Sequence, residues 1–142
     1  MAEILHEITV QASAEKIFDA ITTQEGLKSW WTVDTMADPV KGGDARLGFY
    51  NRAVTFHMQY DELNQPKRLK WNCVEGPDEW AGTTIAFDLA AADDGGTQVK
   101  FQHAGWRETG GQYPSVNTTW GLLLASLKKF AESGTPGPMF LE

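Results

Sequence analysis

The sequence predicts an α+β domain in which one long helix near the C-terminus lies on a curved antiparallel sheet. Three observations carry that reading. Positions 116, 119, 120, 123, 124, 127, 130 and 131 are apolar or β-branched, which is the spacing of one helix face. Between Ala45 and His103 the period of apolar residues is two rather than 3.6, the mark of strands. The chain has 142 residues, 42% of them hydrophobic and six of them tryptophan, enough for one packed core but not for two. A single domain over 1–142 is expected, with its core at about 4–134 and a detachable tail over 135–142.

Taken in order, Ile4 to Gln11 alternates loosely and reads as a first strand. Ser13 then caps a short helix whose Ala14, Ile17, Phe18 and Ile21 share a face. Gln24 to Trp31 reads as a second short helix. Adjacent residues on a helix diverge by about 100°, so of Trp30 and Trp31 one ring is expected in the core and the other elsewhere. After a turn at Lys41-Gly42-Gly43-Asp44, residues 45–51 form a strand with Leu47 and Phe49 on one side. Val54, Phe56, Met58 and Tyr60 alternate with Thr55, His57, Gln59 and Asp61. Asn64-Gln65-Pro66 is a turn, and Leu69, Trp71 and Cys73 form the next inner face. A polar loop at Glu75 to Glu79, in which Asp78 and Glu79 are expected to be solvated, leads to Thr83, Ile85, Phe87 and Leu89. Asp93-Asp94-Gly95-Gly96 signals a hairpin. Val99, Phe101 and His103 then face inward, and 105–114 is a glycine-rich loop with the character of a lid. The long helix starts at Ser115, its expected cap. Lys128 and Lys129 suit the negative end of its dipole, and Gly134 with Pro136 ends it.

Twelve basic against nineteen acidic residues give a net charge of −7, which argues against nucleic acid or an anionic membrane as partner. The basic cluster Lys67, Arg68 and Lys70 reads as the solvated start of a strand. The longest uninterrupted apolar run, Leu122 to Ala125, is too short to span a bilayer, and Met1-Ala2-Glu3 opens no leader, so a cytoplasmic protein is expected. The one cysteine, Cys73, sits in a strand pattern and reads as a buried, inert thiol.

Five stretches in this order resemble the START-like (SRPBCC) superfamily, and within it the single-domain relatives of the Hsp90 ATPase activator domain. They are Ala12 to Thr22, Leu27-Lys28-Ser29-Trp30-Trp31, Gly42-Gly43 before a strand, Thr97-x-Val99-x-Phe101-x-His103-x-Gly105-Trp106, and Trp120-Gly121 through Leu127 to Gly134. The resemblance covers about residues 4 to 134. It implies a helix-grip fold, in which the sheet wraps the long helix and leaves an apolar cavity near the two short helices.

The candidate lining is Trp30, Trp31, Phe49, Phe56, Met58, Tyr60, Trp71, Phe87, Phe101 and His103 from the short-helix segment and the strands. Trp120, Leu123, Leu124 and Leu127 add the helix. These residues either fill a core or, being bulky on curved strands, hold a cavity open. His103 stands out because strand parity turns it inward beside Phe101. It is either a core histidine satisfied by its neighbours or a neutral donor and acceptor that orients a ligand. His57 falls on the outer face and His6 near the start, so no histidine cluster has metal-ligand spacing. No nucleophile elbow or Ser-His-Asp order is present, and Gly42-Gly43 leads into a strand rather than a phosphate-binding helix.

The expected function is binding of a small hydrophobic or aromatic molecule without cofactor or metal, by a monomer or homodimer. One alternative is a cofactor-free enzyme of cyclase or hydrolase type on a hydrophobic substrate, with His103 and Tyr60 as acid and base. The other, suggested by the resemblance alone, is an Hsp90-type chaperone interaction module.

Overall fold

The structure, a computed structural model, describes residues 2–77 and 79–141. Met1, Asp78 and Glu142 lie outside the described residues. The chain runs β1 (Ala2–Val10), α1 (Ala14–Thr22), α2 (Gln24–Trp30), β2 (Asp34–Ala37), β3 (Asp44–Phe49), β4 (Val54–Asn64), β5 (Arg68–Glu75), β6 (Thr84–Ala91), β7 (Thr97–Trp106) and α3 (Tyr113–Ser133). The strands form one seven-stranded sheet in the order β1-β7-β6-β5-β4-β3-β2, and every pair is antiparallel. This is the α+β helix-grip architecture expected from the sequence. Strands β1 and β2 lie at opposite edges although they are consecutive, and α1 and α2 cover the crossing between them.

Strand parity places the core as read. Ile4, His103, Ile85, Trp71 and Tyr60 stand in one cross-strand row, all facing inward and all buried. Phe101, Phe87 and Leu69 make the next row. Helix α3 lays Trp120, Leu123, Leu124, Leu127 and Ala131 against these rows, with the Trp120 ring 4.3 Å from that of Phe101. Burying such side chains contributes about 1.5–3 kcal/mol each before entropy is subtracted.

Several expectations are corrected. Strand β2 was not legible, because a four-residue edge strand with only Thr35 buried carries no readable alternation. Trp30 and Trp31 are both buried and stacked at 5.5 Å. Trp31 has already left the helix (φ −105°, ψ −82°), so the helical divergence does not apply to it. Helix α3 starts at Tyr113, and Ser115 is not its cap. The Ser115 hydroxyl donates back to the Gln112 carbonyl at 3.1 Å, while the Gln112 N–H is taken by the Glu79 carboxylate at 2.9 Å. Glu79 is thus a capping group rather than a solvated loop residue. Lys128 lies short of the last turn and donates to the Thr9 carbonyl of β1 and to Glu132. Gly134 ends the helix in the left-handed conformation (φ 76°), as read. Trp106, assigned to the lid, ends β7 and is fully buried. The tail is not detached: it folds back and pairs with the segment after α2.

Candidate functional site

The interior has a filled end and a hollow end, and His103 belongs to the filled one. Its ring is fully buried. The Trp120 indole N–H donates to Nδ1 at 3.1 Å, so the proton of the neutral ring sits on Nε2, which donates to Thr83 Oγ1 at 2.8 Å. The Thr83 hydroxyl passes its own proton to the Trp80 carbonyl at 2.6 Å. Burial lowers the imidazole pKa to about 3, so the ring is neutral at pH 7. Neutrality matches the sequence reading, but both ring nitrogens are spent on protein, leaving nothing to orient a ligand.

Tyr60 is similarly committed. Its hydroxyl donates to the Thr22 carbonyl at 2.5 Å, and burial raises its pKa well above the ordinary phenol value. It stands in the same cross-strand row as His103 with β5 and β6 between them, a separation of about 14 Å at three strand spacings. The structure therefore does not bring the two together as an acid–base pair. Cys73 is buried with its thiol pushed up to about 12 by desolvation, so no thiolate is available at neutral pH.

The hollow end is a cavity of about 160 Å³ between the β3–β4 hairpin, the first turns of α3 and the C-terminal tail. Trp31, Phe49 and Phe56 wall it from the sheet side, and Trp120 and Leu123 from the helix, all of them expected. The rings interlock around the space. Phe56 stacks on Trp80 at 4.1 Å, Phe49 tilts against Phe56 at 5.1 Å, and Trp31 meets Trp120 at 5.1 Å. Trp30, Met58, Tyr60, Trp71, Phe87, Phe101, His103, Leu124 and Leu127, expected as lining, sit instead in the packed interior. The strand residues among them occupy the middle of the sheet, where Leu124 and Leu127 of the second half of α3 press onto them, and Trp30 closes the interior from α2.

The rest of the lining was missed: Tyr50, Val54, Trp80, Ser115, Val116, Thr119 and Phe140. One signal was available. The core-facing side of α3 carries Val116 and Thr119 before Trp120, with the exposed Ser115 at its edge, but Leu123, Leu124 and Leu127 after it. Side chains that small cannot reach the sheet, so volume is left over where they stand.

The polar groups around this space are few. Ser115 and Thr119 donate their hydroxyl protons to backbone carbonyls at 3.1 and 2.9 Å, so toward the cavity they present acceptor lone pairs. The indole N–H groups of Trp30 and of the lining Trp120 are bonded within the protein, whereas those of the other two lining tryptophans, Trp31 and Trp80, bond no described residue. At the rim, Tyr50, Asn51 and Arg52 all take positive φ (54°, 57° and 66°), an uncommon run for residues with a Cβ. Arg52 grips Asp34 through two hydrogen bonds of 2.8 and 3.2 Å, and the guanidinium lowers the Asp34 pKa. That clasp holds the turn and, with it, Tyr50 at the mouth.

Among the described residues no group of three or more His, Cys, Asp or Glu side chains could hold a metal ion. No described helix is long and apolar enough to cross a membrane.

Comparison with known proteins gives a family match over residues 11–132, to the model described as activator of Hsp90 ATPase homolog 1-like protein. No curated protein matches. The Aha1 dimer from Colwellia psychrerythraea, a solution structure, is 36% identical with a TM-score of 0.86, covering 94% of this chain and 98% of that one. DynU16, from the dynemicin biosynthetic locus, is 17% identical with a TM-score of 0.80, covering 99% of this chain and 51% of its own. SSP2350 of Staphylococcus saprophyticus is 17% identical with a TM-score of 0.78, covering 98% of each chain. The latter two share the fold.

Proposed function

The chain belongs to the activator of Hsp90 ATPase homolog 1-like family, and on that premise we propose that it binds a small apolar or aromatic molecule in the cavity between sheet and helix. The observation that carries this reading is the cavity itself, about 160 Å³ walled by Trp31, Phe49, Phe56, Trp80 and Trp120. A cavity of about 150 Å³ with apolar walls stays dry and admits one benzene ring. The ligand class is therefore a single aromatic ring or an aliphatic group of that size. A lone polar substituent on it would meet the free indole N–H of Trp31 or Trp80, or the hydroxyl lone pairs of Ser115 and Thr119. No step of catalysis is included, because the two residues suited to acid–base work are apart and occupied.

The test is tryptophan fluorescence during titration with p-cresol, since three indoles border the cavity. Wild type should respond saturably and Thr119→Trp, which fills the space, should not. A response that is absent or linear in wild type would overturn the reading.

A second reading follows from the family and from the Aha1 relative, namely contact with an Hsp90-type chaperone. It requires the chain to raise the chaperone's ATPase rate; no increase at saturating chain would remove it. The same relative is a dimer, and we extend that state to this chain. Light scattering should give twice the chain's 15.7 kDa, and a mass of one chain would refute it.

A further inference from the structure

One wall of the cavity comes from outside the span that matches the family. The match ends at residue 132, α3 ends at Ser133, and the chain then turns back instead of running off. Gly137 N–H donates to the Ser29 carbonyl at 2.9 Å, Met139 N–H to Trp30 at 3.3 Å and Phe140 N–H to Trp31 at 2.9 Å. The Val33 N–H returns a bond to the Phe140 carbonyl at 3.1 Å, and Thr32 pairs with Phe140 in parallel. The result is an extended segment, joined to Thr32 by one isolated bridge, that carries the Phe140 ring to the mouth. There the ring stands edge-on to Phe49 at 4.8 Å and to Tyr50 at 5.8 Å, and it lines the cavity.

We propose that residues 134–141 are a strap across the cavity and that Phe140 sets the largest ligand it admits; this rests on the binding reading above. Three features carry the inference. Among the described residues that line the cavity, Phe140 alone lies beyond α3, so the rest of the wall stays in place when the strap lifts. The strap is lightly held, because Met139 and Leu141, on either side of Phe140, are 37% and 72% exposed and add little to the core. A segment fastened by a few backbone bonds and one half-buried ring opens at far lower free energy than the domain unfolds. Finally, the strap bonds to the backbone of Trp31, whose indole is itself a wall, so the strap is fastened directly beside the cavity it covers. With the ring in place the space suits one aromatic ring; without it, roughly one more fits.

The experiment compares p-cresol with 2-naphthol by fluorescence titration in wild type, Phe140→Ala and Met139→Pro. The first variant removes the ring. The second keeps the ring but deletes the N–H that ties the strap to Trp30. In wild type p-cresol should bind at least tenfold more tightly than 2-naphthol. In both variants the ratio of dissociation constants should shift toward 2-naphthol by tenfold or more, with urea midpoints close to wild type. Saturable binding with the same ratio in all three proteins would overturn the strap while leaving the cavity reading intact. No saturable binding in any of them would overturn both. If Phe140→Ala fails to fold, Met139→Pro decides alone, since it frees the strap without removing any ring of the cavity.

Discussion

The two ends of the interior are built from the same kinds of residue and do different things. Around His103 and Trp120, large rings meet leucines of α3, and the polar tips of both residues are spent within the protein. Around Phe49, Phe56 and Trp80, equally large rings meet Ser115, Val116 and Thr119, and about 160 Å³ is left unfilled. Aromatic content therefore does not distinguish a core from a pocket. What distinguishes them is whether the facing element reaches across, and whether the polar atoms are already spent.

The largest expected effect lies at the filled end. Leu124 is 1% exposed, so Leu124→Asp buries an unpaired carboxylate where no partner stands. The cost is several kcal/mol, enough to unfold a domain of ordinary stability. Thr119→Asp, one turn earlier and only half-buried beside the cavity, should cost about 1 kcal/mol or less. Urea unfolding of the pair measures the contrast. Equal midpoints would mean that the two halves of α3 are packed alike.

The next effect is the pH dependence of the same end. The folded-state pKa of His103 is about 3, below the unfolded value of about 6.5. The unfolded chain thus takes up a proton that the folded one refuses. The stability tied to His103 is fully present above about pH 6.5 and is lost as pH falls from there toward 3. Between pH 6.5 and 5 the loss is about 2 kcal/mol. His103→Gln should be less stable at pH 7 by about 1–3 kcal/mol, because the Trp120 and Thr83 bonds are disturbed, yet it should lack this acid slope. Urea midpoints at pH 7 and 5 for both proteins check it. A variant that keeps the wild-type slope would move the titration to another group.

Most of the sheet and both ends of the order of elements were legible, because burial enforces period two on strands such as β4 and β7 and period 3.6 on α3. Four of the cavity walls, Phe49, Phe56, Trp120 and Leu123, were legible for the same reason; Trp31 was named as well, but it stands past the end of α2, where helical periodicity does not place its ring. The remaining walls were not. Trp80 sits in a loop and Phe140 in the tail, where no periodicity says which way a ring points. Tyr50 reaches the mouth only through a left-handed turn that composition does not announce. His103 was legible as inward and neutral, but its role turned on Thr83 and Trp120. Those partners come from another strand and from α3, and sequence distance conceals them.

The smallest effect separates two ways of starting α3, the helix that borders both ends. A serine at the head of an apolar-periodic run is the usual cap, and its loss costs about 1 kcal/mol. Here Ser115 lies inside the first turn, is exposed, and gives its proton to the Gln112 carbonyl. It therefore satisfies none of the free N–H groups, and Ser115→Ala should change stability by less than about 0.5 kcal/mol. Glu79 does satisfy one, through the 2.9 Å bond to the Gln112 N–H, and its charge favours the positive end of the helix. Glu79→Gln keeps an acceptor but removes the charge, and should cost about 0.3–1 kcal/mol, less in high salt. Urea midpoints in low and high salt discriminate the two. A larger loss from Ser115→Ala than from Glu79→Gln would return the cap to the serine, and would place the start of α3 where the sequence pattern alone puts it.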